Sequence, residues 1–169
     1  MYEKQCKKLT YGALLTALAI IIPVSFGVLR VQIGPFTATL GAHVPIFFSM
    51  LFGPYIASIV ALGSALGFLI TSPLVIAARA LMHVLVGGIG AILIKKDINL
   101  KNVILITAPL HGILEAISVI PFGFTVYKIL IVVGVGSMIH HIVDGIVFNV
   151  IIKGMEKTGI TNFSVNKII

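Results

Sequence analysis

Arg79 and His83 stand four residues apart in one apolar run, residues 73–94, PLVIAARALMHVLVGGIGAILI. Residues at that spacing share a helix face, so the run presents a guanidinium and an imidazole side by side. It is long enough to cross a bilayer, which takes about 20 mostly apolar residues. An arginine at the centre of such a helix costs about 2.5–3.5 kcal/mol to insert, so it calls for a partner or a job. His111 and Glu115 repeat the four-residue spacing in a second run, and His43 lies in a third. The chemistry these groups suit is recognition of a small anion. A guanidinium holds a carboxylate by a planar, two-point, charge-assisted hydrogen bond, and an imidazole bonds a second polar atom. The alternative is structural: Arg79 and Glu115 form a buried ion pair that fixes helix packing. The two readings are compatible, because such a pair can open to accept a substrate carboxylate.

A further constellation, His140-His141-x-x-Asp144, puts His140 and Asp144 on one helix face, which permits two metal ligands. No third ligand is evident, and hydrogen bonding between helices near the cytoplasmic boundary is the simpler reading of the group. Cys6 is the single cysteine, so there is neither an internal disulfide nor a cysteine metal framework. No nucleophile elbow, phosphate-cradling glycine loop or HExxH motif is present. The expectation is a chain that is not an enzyme and uses no metal or cofactor.

The elements that must position these groups are membrane helices. The 169 residues are 59% hydrophobic and only 10% charged, far outside the soluble range. The apolar runs are continuous rather than alternating, which argues against a β-barrel. A net charge of +7 would suggest nucleic acid in a soluble protein, but here the basic residues flank apolar runs and act as topology signals. The reading is an all-α integral membrane protein, residues 1–169 forming one six-helix domain. Its spans are expected at about 9–23, 37–52, 55–70, 73–94, 103–121 and 129–152. A basic start before an apolar run also describes a signal peptide, but further spans follow at once and no cleavage site is visible. The N-terminal segment, residues 95–101 and the C-terminal tail hold nearly all the lysines, with Arg30 and Lys128 on the other side. Both termini are therefore expected in the cytoplasm. At about 1.5 Å rise per residue, Arg79 lies about 9 Å down from the outer surface. His43 and Glu115 fall at similar outer-half depth, with His83 and His111 a turn deeper and Asp144 in the inner half.

Ala13 and Ala17, with Gly12 and Thr16 beside them, form a small-xxx-small pair that allows close helix approach. A small, six-span, N-in chain of this kind resembles the S component of an energy-coupling-factor (ECF) vitamin transporter, and the alanine pair is similar to the motif by which that family meets its coupling subunit. The segments ATLGAHVPIFFSM (38–50), ALGSALGFL (61–69), PLVIAARALMHVLVGGIGA (73–91) and HGILEAISVIP (111–121) look most like the niacin-specific members. The resemblance implies a substrate-binding subunit in a bacterial cytoplasmic membrane. It would capture a vitamin from outside and work with a transmembrane coupling subunit and two ATPases. Carried onto this sequence, the substrate residues are His43, Arg79, His83, His111 and Glu115, with Ala13 and Ala17 docking the partner. An outer loop around residues 24–35 is expected to close over the site. The competing readings are an S component for another vitamin or small anionic nutrient, an intramembrane enzyme built on His140, His141 and Asp144, and a structural membrane protein.

Overall fold

A computed structural model describes residues 2–158. The tail beyond residue 158, counted above among the basic cytoplasmic segments, lies outside the described residues. The elements are α1 (Tyr2–Ser25), β1 (Arg30–Ile33), β2 (Phe36–Thr39), α2 (Val44–Met50), α3 (Pro54–Thr71), α4 (Leu74–Leu81), α5 (His83–Lys95), α6 (Leu100–Ser118) and α7 (Gly136–Lys157). A π-helical segment, Lys128–Val135, leads into α7. Counting α4 with α5 and the π-helical segment with α7, five helical stretches among the described residues are long and apolar enough to cross a membrane. Their outward faces are covered with leucine, isoleucine and valine, among them Leu14, Leu66, Ile113 and Ile146. That surface suits hydrocarbon rather than water.

Residues 37–52, expected as the second span, take another form. The chain runs through the antiparallel β1–β2 hairpin, pairing Arg30 with Thr39 and Ile33 with Phe36. It turns at residues 40–43 and then makes only the seven-residue α2, which rises about 10 Å. The apolar content of the segment suited helix and buried strand equally. β2 is buried on both faces while β1 is mostly exposed, so the hairpin is set into one end of the bundle along β2, with β1 at the surface.

Chain direction follows from the packing. Gly12 lies against Ile56, Thr16 against Gly63 and Ile20 against Gly67, so α1 and α3 run parallel. A Cβ at Gly67 would stand 2.8 Å from the Ile20 carbonyl oxygen; only glycine lets these two backbones come so close. Because α1 and α3 are parallel, the hairpin, turn and α2 together carry the chain from one end of the bundle back to the other. α2 does so through the centre: Ile46 and Phe47 are fully buried, in one apolar core with Val60, Val86, Val103 and Phe148 from α3, α5, α6 and α7. At about 25 cal/mol per Å² of apolar area removed from solvent, that core supplies the packing that holds a helix too short to be stable alone.

Candidate functional site

Directly beneath the hairpin, Arg79 on α4 faces Glu115 on α6. The helices are antiparallel, so the next pair down is His83 with His111. Arg79 donates from Nε and Nη2 to Glu115 Oε2, at 3.0 and 2.6 Å. Its Nη1 reaches the Pro35 carbonyl at 2.9 Å and Thr37 Oγ1 at 3.4 Å, and Nη2 reaches the Thr37 carbonyl and Ser137 Oγ, each at 3.3 Å. Ser137 in turn donates to Glu115 Oε2, and the Phe36 ring lies 5.2 Å from the guanidinium carbon. Each guanidinium nitrogen therefore has a protein acceptor. The side chain is 3% exposed, and burial on this scale needs such pairing. In effect Arg79 ties the hairpin to the bundle.

One level deeper, all five histidines of the chain meet. The ring of His43 lies 4.7 Å from His83, 4.7 Å from His111, 4.6 Å from His140 and 5.3 Å from His141, centre to centre. Asp144 holds His43 in place. Its Oδ1 accepts from the Gly41 backbone N–H at 2.7 Å, and Oδ2 accepts from the His43 N–H at 3.0 Å and from His43 Nδ1 at 2.7 Å. A carboxylate only accepts, so the His43 proton sits on Nδ1 and Nε2 is turned inward. His140 Nε2 is shared between Asp144 Oδ2 at 3.2 Å and the Thr39 carbonyl at 3.1 Å. His141 Nε2 bonds Thr107 Oγ1 at 3.0 Å. The cavity beside Arg79, lined by His43, His83, Glu115, His140 and Phe68, has room at its centre of only about 20 Å³, the space of about one water.

The five substrate residues read from sequence, His43, Arg79, His83, His111 and Glu115, thus come together in one buried cluster. The reading of His140 and Asp144 needs correction: the sequence set them in the inner half, apart from the others, whereas both touch the His43 turn. Two physical features misled the depth estimate. Residues 36–39 are extended and residues 40–43 form a turn, so His43 does not sit where a helix begun at residue 37 would carry it. The π-helical segment packs more residues into each turn than an α-helix does and so advances less per residue, which leaves Asp144 level with the His43 turn. Thr37, Ser137 and the Pro35 carbonyl were missed, and only the demand of a buried arginine for several acceptors could have pointed to them. Ala13 and Ala17 are exposed on the outer face of α1, away from this cluster, while Gly12 and Ala19 pack inward.

Among known proteins, the chain is 35% identical to the niacin transporter NiaX of Lactococcus lactis subsp. cremoris, over 84% of this chain and 71% of the relative. The chain belongs to the NiaX family. It is an S component of the NiaX type and a multi-pass transmembrane protein. No protein-family model and no solved structure matches it. The transporter relative carries this chain away from the intramembrane enzyme reading and toward transport.

Proposed function

We propose that this chain captures niacin on the outer side of a bacterial cytoplasmic membrane. It would pass the vitamin inward with an ECF coupling subunit and two ATPases. The observation that supports this best is Arg79: a fully buried guanidinium held under a hairpin by acceptors that a carboxylate can replace, in a NiaX-family chain. The hairpin end then faces outward, and both termini and residues 95–101 face the cytoplasm. The chain crosses six times in this reading, the second crossing made by the hairpin, turn and α2.

The closed arrangement suggests how binding works. A cavity of one-water size does not admit an aromatic ring, so the hairpin must lift. Lifting frees the Arg79 donors now spent on Pro35 and Thr37. The substrate carboxylate takes those positions by a two-point contact, and a histidine of the cluster bonds the pyridine nitrogen. Phe36 and Phe68 are placed to flank the ring. Closing the hairpin afterwards buries the new pair and strengthens it. Ala13 and Ala17, exposed on α1, are left to meet the coupling subunit. Titration of the detergent-solubilised chain with niacin tests the substrate: saturable binding, and much weaker binding of nicotinamide, is expected. Engineered cysteines test the sidedness, with residues 95–101 protected from an impermeant label in intact cells.

A further inference from the structure

The Nε2 atoms of His43, His83 and His111 converge. His83 Nε2 is 3.1 Å from His43 Nε2 and 3.1 Å from His111 Nε2, and the three lie within 4.8 Å of one another. Three imidazole nitrogens on a tetrahedral ion at Zn–N distances of about 2.0–2.1 Å stand about 3.3 Å apart. Glu115 Oε1 lies 3.1 Å from His111 Nε2 and 3.6 Å from His83 Nε2, while Oε2 is occupied by Arg79 and Ser137.

Hydrogen counting favours an ion among these nitrogens. A neutral imidazole carries one N–H. That of His43 is on Nδ1, donated to Asp144, so the His43–His83 contact takes its hydrogen from His83. The His111 hydrogen has Glu115 Oε1 as its acceptor. The His83–His111 contact is then a pair of nitrogens at hydrogen-bond distance with no hydrogen between them. A cation coordinated by all three removes the conflict. The Nδ1 atoms of His83 and His111 are buried without a hydrogen-bond partner, so no contact on that side fixes either ring's tautomer. The Asp144–His43 pair is the carboxylate–histidine–metal arrangement that fixes a ligand's tautomer and orientation. A second group, His43 with His140 and Asp144, is already closed by its own hydrogen bonds.

We propose that His43, His83 and His111 bind one Zn(II) ion through their Nε2 atoms, with a fourth position left open. Three imidazole nitrogens with an open fourth position suit zinc. The site stands on this geometry and does not rest on the identity of the transported substrate.

The test uses the untagged full chain in detergent, stripped with chelator, then titrated with Zn(II) alone and with Co(II) as a visible reporter. Expected are one Zn(II) per chain and the intense visible absorption of tetrahedral Co(II), displaced by Zn(II). His83→Ala and His111→Ala should each weaken binding by more than the roughly 10–100-fold that follows loss of an outer-shell partner. His140→Ala should keep both stoichiometry and spectrum. Monodisperse elution and an unchanged helical signal select variants that fold. Substoichiometric metal, an octahedral Co(II) spectrum, or equal loss in His140→Ala would each overturn the site. Niacin titration of the stripped and loaded protein is a separate readout: failure there bears on the substrate, not on the ion.

Discussion

Around His43 every polar side chain is buried or nearly so, and partners come from the hairpin turn, α4, α5, α6 and α7. Along the outward face of α1, Ala13 and Ala17 lie exposed beside Leu14 and Leu18. The first region is over-determined: removing one member strands another in a low-dielectric interior. The second is turned away from the bundle, and its small side chains would allow another helix to approach closely. A mutation should therefore read out differently in the two places, through binding and stability in the cluster and through coupling on α1.

The largest effect is expected at the Arg79–Glu115 pair. Arg79→Ala leaves Glu115 buried without its counter-charge, which typically costs about 3–5 kcal/mol of stability, and it removes the proposed substrate contact. The double variant Arg79→Met with Glu115→Leu should recover much of that stability, because apolar pairs often replace buried ion pairs at little cost. It should still fail to bind niacin. Thermal unfolding beside calorimetric titration separates the two roles. A double variant that binds normally would make the pair structural only.

Next in size is Asp144. Asp144→Ala orphans the Gly41 and His43 backbone N–H groups and His43 Nδ1, each a loss of about 1–3 kcal/mol if left unsatisfied. The expected outcome is a marked fall in melting temperature and, by hydrogen exchange, opening of the 40–43 turn ahead of the rest of the bundle. A melting temperature unchanged from the parent would show that water replaces the carboxylate and that the turn is not held from α7.

The smallest effect on the isolated chain, and the sharpest contrast, belongs to α1. Ala13→Leu with Ala17→Leu should change stability by no more than about 0.5 kcal/mol, as surface changes usually do. Niacin binding should stay intact while uptake in cells is abolished, because bulk there keeps the coupling subunit away. Loss of binding in the purified variant would mean that these alanines serve the fold after all.

The sequence made the antiparallel pairing of α4 and α6 legible for a simple reason. Arg79 and His83 match Glu115 and His111 in spacing, and charges in a span seek each other. Helices α3, α6 and α7 were legible from continuous apolar length. The hairpin was not: Gly34-Pro35 marks a turn, but the residues after it run into the apolar VPIFFSM and were read with it as one helix. Once that segment is read as helix, His43 stands at the wrong depth and Asp144 loses its partner. The error in one element thus split one cluster into two. Ser137 and Thr37 gave no signal of their own, since a lone hydroxyl in a span usually bonds its own helix backbone.

The most direct test of the account is a niacin titration of the parent chain against Arg79→Lys. Lysine keeps the charge but lacks the planar fork. Loss of a charged partner in a buried site costs about 2–5 kcal/mol, or roughly 30- to several-thousand-fold in affinity, and Arg79→Lys should fall in that range while remaining folded. Nicotinamide, which has no carboxylate, should bind the parent far more weakly than niacin. Equal binding of niacin by the parent and a folded Arg79→Lys, or equal binding of niacin and nicotinamide by the parent, would contradict the assignment of Arg79 as the carboxylate contact.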